Sequence, residues 1–231
     1  MTSFKKNRLL SVIKYLTKNV NSKVLSIWGL DGASKSTSIT TIKKEFENFH
    51  IPTEVVRKPG GTPFSEALRG IHKQKWDEPV HTFTELMLMG ASFKQSTLNR
   101  TLPLLQEGKT IIEDRGWGCT YAYQIHEREL DMVLFSQVIN QSLEGAKPRF
   151  ILFLDVDPEI GLERARGRGV LDRLELESIE NIYRRQRGYR ALAEYFPENI
   201  ITIDANRDIK RVQDDVKDWA HFAAKESLFN P

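Results

Sequence analysis

Val24-Leu25-Ser26-Ile27-Trp28-Gly29-Leu30-Asp31-Gly32-Ala33-Ser34-Lys35-Ser36-Thr37 is the stretch on which the fold turns. An apolar run that reads as a strand enters a glycine-bearing loop, and the amphipathic residues from Ser36 to Phe49 read as the helix that follows. The loop has the G-x4-G-K-[ST] spacing of a phosphate-binding P-loop in every position but one, because Ser34 replaces the second glycine. Backbone N–H groups of such a loop cradle phosphates, its lysine reaches the terminal phosphates and its hydroxyl holds Mg²⁺. If position 34 needs a positive φ, the serine costs on the order of 1 kcal/mol.

Working outward, Thr53–Arg57, Thr110–Ile112, Phe150–Val156 and Asn199–Ile203 are further strand candidates, rich in β-branched and aromatic residues. Helical stretches separate them at about 83–107, 129–145, 157–167, 176–195 and 207–225. Strands alternating with helices predict a parallel sheet covered on both faces, in one α/β domain.

The 231 residues carry 34 Lys and Arg against 31 Asp and Glu, a surplus too small for a tail-type nucleic-acid binder. The charge is segregated. Residues 1–23 hold Lys5, Lys6, Arg8, Lys14, Lys18 and Lys23 with no acid, and Leu9, Val12, Ile13, Leu16 and Val20 recur there at helical spacing. We expect a basic helical extension over 1–22, followed by a domain over 23–231. A transit peptide fits less well, since the segment has a single arginine and leads straight into core sequence. Cys119 is the only cysteine, which excludes an internal disulfide and a cysteine-based zinc site. No apolar run approaches the roughly 20 residues of a membrane span, so the expectation is a cytoplasmic protein (host cytoplasm, were it viral) without membrane contact.

Five ordered blocks between residues 24 and 216 resemble the thymidylate kinase family. Ser26–Thr37 is similar to its GxDGAGK[ST]T loop, and Arg57-Lys58-Pro59-Gly60-Gly61-Thr62-Pro63 to its REPGGTP loop. Asp114-Arg115 with Ala122-Tyr123-Gln124 resembles DR[YH]xxSxxAYQ at the same spacing. Leu154–Pro158 with Gly161–Arg168 resembles the fourth strand and lid, and Ile203–Arg207 the closing strand and turn. The resemblance implies a P-loop NTPase three-layer sandwich with a five-stranded parallel sheet flanked by helices, a lid around 164–175, and a homodimer.

It also implies a nucleoside monophosphate kinase. ATP would be held by Gly29, Gly32, Ala33, Ser34, Lys35, Ser36 and Thr37, and Mg²⁺ by Ser36 and Asp114. Asp31, Asp114, Arg115, Arg166 and Arg168 are the expected catalytic groups beside Lys35, with Arg164 and Arg173 adding to the basic lid. The loop offers no arginine at Gly32 or Ala33, so the lid supplies the cation for the transferring phosphoryl group. Arg57 and Arg69 would bind the acceptor phosphate; for Arg69 an ordinary exposed helix arginine is an equal reading. Met89, Phe93, Thr120 and Tyr123 would line the acceptor pocket.

Departures cluster on that acceptor side. Met89 and Phe93 stand where the family stacks a phenylalanine and bonds the base with arginine; Phe93 cannot donate a hydrogen bond. Gly116, Trp117, Gly118 and Cys119 follow Arg115, Lys58 replaces the glutamate of REPGG, and Ile125-His126-Glu127-Arg128 replaces a glycine-rich stretch. The expectation is ATP-dependent transfer to a deoxynucleoside monophosphate, dTMP-like or a 5-modified deoxypyrimidine. Two other readings stay open: a kinase acting on a nucleoside or on a modified base in DNA, with the basic arm on the phosphate backbone, and a catalytically weak nucleotide-binding regulator.

Overall fold

The computed structural model describes residues 18–167 and 178–226. Val20–Trp28 (β1), Thr53–Lys58 (β2), Thr110–Arg115 (β3), Lys147–Asp155 (β4) and Ile200–Asp204 (β5) build one sheet in the order β2-β3-β1-β4-β5. All four pairings are parallel. The β1 residues Leu25, Ile27 and Trp28 and the β4 residues Ile151, Leu152, Phe153 and Leu154 are buried, as strands covered on both faces must be.

The helices are Lys35–Asn48 (α1), Pro63–Lys73 (α2), Thr82–Ser96 (α3), Leu102–Gln106 (α4), Trp117–Thr120 (α5), Met132–Ser142 (α6), Pro158–Arg166 (α7), Ile179–Tyr195 (α8) and Ile209–Lys225 (α9). They flank the sheet in a three-layer α/β sandwich. Two wide π-helical stretches, Thr97–Thr101 and Tyr121–Glu127, continue α3 into α4 and extend α5. Among the described residues no helix is long and apolar enough to cross a membrane.

Three details differ from the sequence reading. Val20, placed in a helical stripe, opens β1 and pairs with Lys147, so the first strand starts before residue 23. The rest of that stripe and the arm, residues 1–17, lie outside the described residues, as do Arg168 and Arg173 of the lid. Helix α2 was not among the helical stretches placed, although Arg69 was read as a possible helix residue; Thr62 caps the helix by accepting from Ser65 N–H at 3.4 Å, Pro63 opens it and Glu66 sits in its first turn. The helical run after Arg115 was missed for the reason given below.

Chain order reverses at β1, which lies between β3 and β4. Loops leaving the carboxyl ends of β1 and β3 diverge there and open a crevice. Gly29, Asp31, Pro59, Arg115 and Gly116 all stand at or just past these strand ends.

Candidate active site

The loop after β1 is held in the shape that phosphate binding needs. Gly29 and Gly32 take φ values of 145° and 82°, and a Cβ on Gly32 would fall 2.0 Å from the Gly161 carbonyl oxygen. Ser34 has φ 64° and ψ 24°, the left-handed geometry in which serine is strained. The first turn of α1 has no acidic residue, and Ser36 and Thr37 are exposed there. A helix N-terminus of this kind, with hydroxyls and a lysine beside it, fits an anionic donor.

Lys35 is buried and donates to the carbonyl oxygens of Gly29 at 3.0 Å and Leu30 at 2.7 Å. Burial and the nearby Arg115 lower its pKa to about 8, against the opposing pull of Asp31, whose carboxylate is 3.7 Å away. Asp31 pairs with Arg115. Burial pushes the Asp31 carboxyl up, but Arg115 and Lys35 outweigh it and hold the group well below the usual carboxylate range. Arg115 in turn keeps its charge firmly, since the Asp31 carboxylate outweighs burial.

Beside this triad a cavity opens toward solvent. Of the residues expected on sequence grounds, Asp31, Arg69, Arg115, Met89, Thr120 and Tyr123 line it. Tyr123 is overlaid by the Arg185 guanidinium at 4.2 Å from the ring centroid, and Arg185 forms a buried ion pair with Glu127. Burial is the main reason the Tyr123 hydroxyl is pushed far up. Gln124, also in the wall, donates to the sealed Glu85 at 3.0 Å, which Arg128 meets at 2.6 Å.

Phe93 is not in that wall. It is completely buried in the core and is not among the residues that line the cavity. It was expected in the substrate set on the family pattern, and its side chain lies in the same core cluster as Met89. Arg57 stands apart from the cavity wall, bonded to Glu66 at 2.7 Å and about half exposed. Asp114 pairs in register with Arg57 on one side and Ile27 on the other, at the edge of the crevice.

In the lid, Arg164 donates to the carbonyl oxygens of Ala205 at 2.7 Å and Arg207 at 3.0 Å, which ties α7 to the β5–α9 loop. Arg166 is exposed at the end of α7, while Arg168 lies outside the described residues.

His72, Lys73, Cys119 and Gln124 also line the cavity and were not singled out as site residues. The signal was available for two of them. Once Thr62-Pro63 is read as a helix start, the last turn of α2 brings His72 and Lys73 to the same side as Arg69, at three- and four-residue spacing. The wall from Cys119 to Gln124 depends on the π-helical run over Tyr121–Glu127, which changes the face each residue presents and has no simple period.

Comparison with known proteins agrees with this geometry. The thymidylate kinase family model matches residues 27–216. The thymidylate kinase of Colwellia psychrerythraea strain 34H is 40% identical over 196 residues, covering 84% of this chain and 92% of the relative. That of Vibrio vulnificus strain YJ016 is 39% identical over 199 residues, covering 85% and 93%. That of Legionella pneumophila strain Corby is 38% identical over 200 residues, covering 86% and 94%. With its parallel sheet, phosphate loop and matched span, this chain belongs to the thymidylate kinase family.

Proposed function

We propose that the protein transfers the terminal phosphoryl group of ATP to dTMP, giving dTDP. The observation that carries this reading is the position of the cavity, which is lined by Asp31 of the phosphate loop and by its partner Arg115 at the end of β3. An acceptor lying on Met89, Thr120 and Tyr123 thus brings its phosphate to the cations beside the donor site. Little covalent chemistry is asked of the protein in such a transfer; positioning and charge neutralisation do most of the work.

Lys35 exchanges the Gly29 and Leu30 carbonyls for donor phosphate oxygens, and the negative charge it meets restores its full protonation. Arg115, half-buried and always charged, exchanges Asp31 for phosphate oxygens between donor and acceptor. Asp31 is then released to accept from a sugar hydroxyl. Arg69 approaches the acceptor phosphate from α2, and the Arg57–Glu66 pair steadies the loop at Gly61, whose N–H donates to Glu66 at 2.9 Å. Ser36 and Asp114 are the oxygen ligands offered to Mg²⁺, which neutralises phosphate charge when bound. Arg166 and Arg168 complete the site from the lid around 164–175.

In this reading the acceptor is a deoxynucleotide because buried Tyr123 crowds the sugar. The protein acts in the cytoplasm, and it works as a homodimer, which the exposed apolar side chains of Phe64 on α2 and Phe83 on α3 support. The basic arm precedes the kinase domain. The relatives lend no support to a nucleoside or DNA-base kinase, or to a weak regulator. The test is ADP release measured against a panel of nucleosides, deoxynucleoside monophosphates and single-stranded DNA. Turnover restricted to monophosphates, with dTMP foremost, supports the proposal; no turnover with any monophosphate overturns it.

A further inference from the structure

Among the described residues, His72 is the one that lines both the acceptor cavity and a neighbouring open groove. That groove is walled by the apolar Ile71, Trp76, Val80 and Leu88 and by Thr84, with Glu78, Pro79 and His81 of the connecting loop completing it, from α2, that loop and α3. On α3 the consecutive residues Leu88 and Met89 face the groove and the cavity respectively, so His72 stands over the ridge that divides the two spaces. Its imidazole is 7% exposed, although Ile71 and Trp76 on the groove side are each 44% exposed. It is an inward-turned partition in a half-open wall.

From this juxtaposition we propose that His72 sets the size limit at the base end of the acceptor site, and that the groove behind it is a latent subsite for substituents on carbon 5 of a deoxypyrimidine monophosphate. The inference rests on the acceptor assignment made above. The acceptor phosphate is fixed by Arg115 and Arg69, and a ring lying on Met89 then directs an edge toward the α2–α3 seam that His72 fills. Carbon 5 is the ring position whose substituents enlarge the base without removing its hydrogen-bonding edge. A methyl fits in front of the imidazole; a longer rigid substituent meets it. Removing the imidazole joins cavity and groove, and apolar Ile71, Trp76, Val80 and Leu88 then receive the substituent.

The test compares dUMP, dTMP and 5-propynyl-dUMP in the wild type, His72→Ala, His72→Ala/Thr84→Phe and His72→Trp. Both kcat/KM and the Kd from calorimetry are measured, so that binding is read without turnover. The wild type should prefer dTMP to the propynyl compound. His72→Ala should raise the propynyl-to-dTMP ratio by about tenfold or more, in the range that a few buried carbons give in an apolar pocket. Thr84 is exposed in the groove, so Thr84→Phe should refill the groove and reverse the gain. His72→Trp should penalise dTMP relative to dUMP, which keeps the proposal open to refutation should the alanine variant not fold. Unchanged ratios of binding across the variants would overturn the role of His72. Selective binding that follows these changes without any turnover would overturn the kinase reading and leave the subsite standing.

Discussion

Lys58 and Glu113 meet at 2.7 Å with both side chains wholly sealed from solvent, on adjacent strands beneath the acceptor cavity. Burial pushes the Glu113 carboxyl up, and Lys58 pulls against it. Lys58 also donates to Thr97 Oγ1 at 3.3 Å. Above the pair lies the corner at Arg115, whose carbonyl accepts from Ser26 Oγ at 2.5 Å, and a Cβ on Gly116 would come within 3.1 Å of Glu113 Oε2. The lysine that breaks the REPGG pattern thus has a structural partner two residues before Arg115, and its charge faces the sheet interior. Breaking a buried pair from one side leaves an uncompensated charge, whereas replacing both partners by apolar groups is often neutral or better. We expect Lys58→Met to cost about 3–5 kcal/mol in denaturant unfolding. Lys58→Met/Glu113→Leu should recover most of that loss, and a double variant as unstable as the single would contradict the pairing.

Phe93→Arg, which the family pattern suggests as a way to strengthen thymine recognition, should fail as a specificity change. The side chain is fully enclosed in the core. An unpaired charge placed there is expected to cost more than about 3 kcal/mol. Thermal unfolding of the variant should drop by several degrees, with no gain in kcat/KM for dTMP relative to dUMP. A stable variant with raised dTMP preference would show that this face of α3 can turn toward the cavity.

The contrast between these two residues shows how far the sequence carries. Hydrophobic runs and loop chemistry located all five strands and the phosphate loop, because burial on both faces of a parallel sheet leaves an unbroken apolar signal, as in β1 and β4. Asp31, Arg115, Met89, Thr120 and Tyr123, which line the cavity, were named by the family resemblance and not by these runs. The sequence did not reveal that Lys58 has Glu113 as partner, since that pairing depends on β2 lying beside β3. Nor did it separate Met89 from Phe93: four residues apart they share a helical face by period, yet one lines the cavity and the other packs below it. Val20 misled because a three- and four-residue recurrence over a short segment does not distinguish a helix from a strand whose partner lies more than a hundred residues away.

Ser34→Gly should stabilise the protein. The serine holds a left-handed backbone at φ 64°, and its hydroxyl only bonds back to the Ala33 carbonyl at 2.6 Å. Relief of that strain is worth about 1 kcal/mol, less the extra chain entropy that glycine brings to the unfolded state. We expect a gain of about 0.5 kcal/mol in chemical unfolding and no loss of ATP affinity. A weaker affinity would mean that the hydroxyl contributes to the donor site.

Lys35 should make donor binding and stability respond to alkali in opposite directions. Its pKa in the folded chain is lowered from the ordinary lysine value of 10.5 to about 8, mainly by burial and then by Arg115, while Asp31, Cys119 and Asp114 raise it. Between those two values the unfolded chain keeps a proton that the folded chain has released, so this group's contribution to stability rises with pH over that window, by at most on the order of 3 kcal/mol. Phosphate binding needs the charged ammonium, so kcat/KM for ATP should fall as pH rises through about 8, approaching tenfold per unit. Bound donor phosphates favour the charged form and should move the corresponding limb of kcat to higher pH. Lys35→Arg, whose charge does not titrate in this range, should flatten the kcat/KM limb even if overall activity is low. Lys35→Ala should abolish turnover at every pH. A kcat/KM profile for Lys35→Arg that still breaks near 8 would assign the titration to a different group.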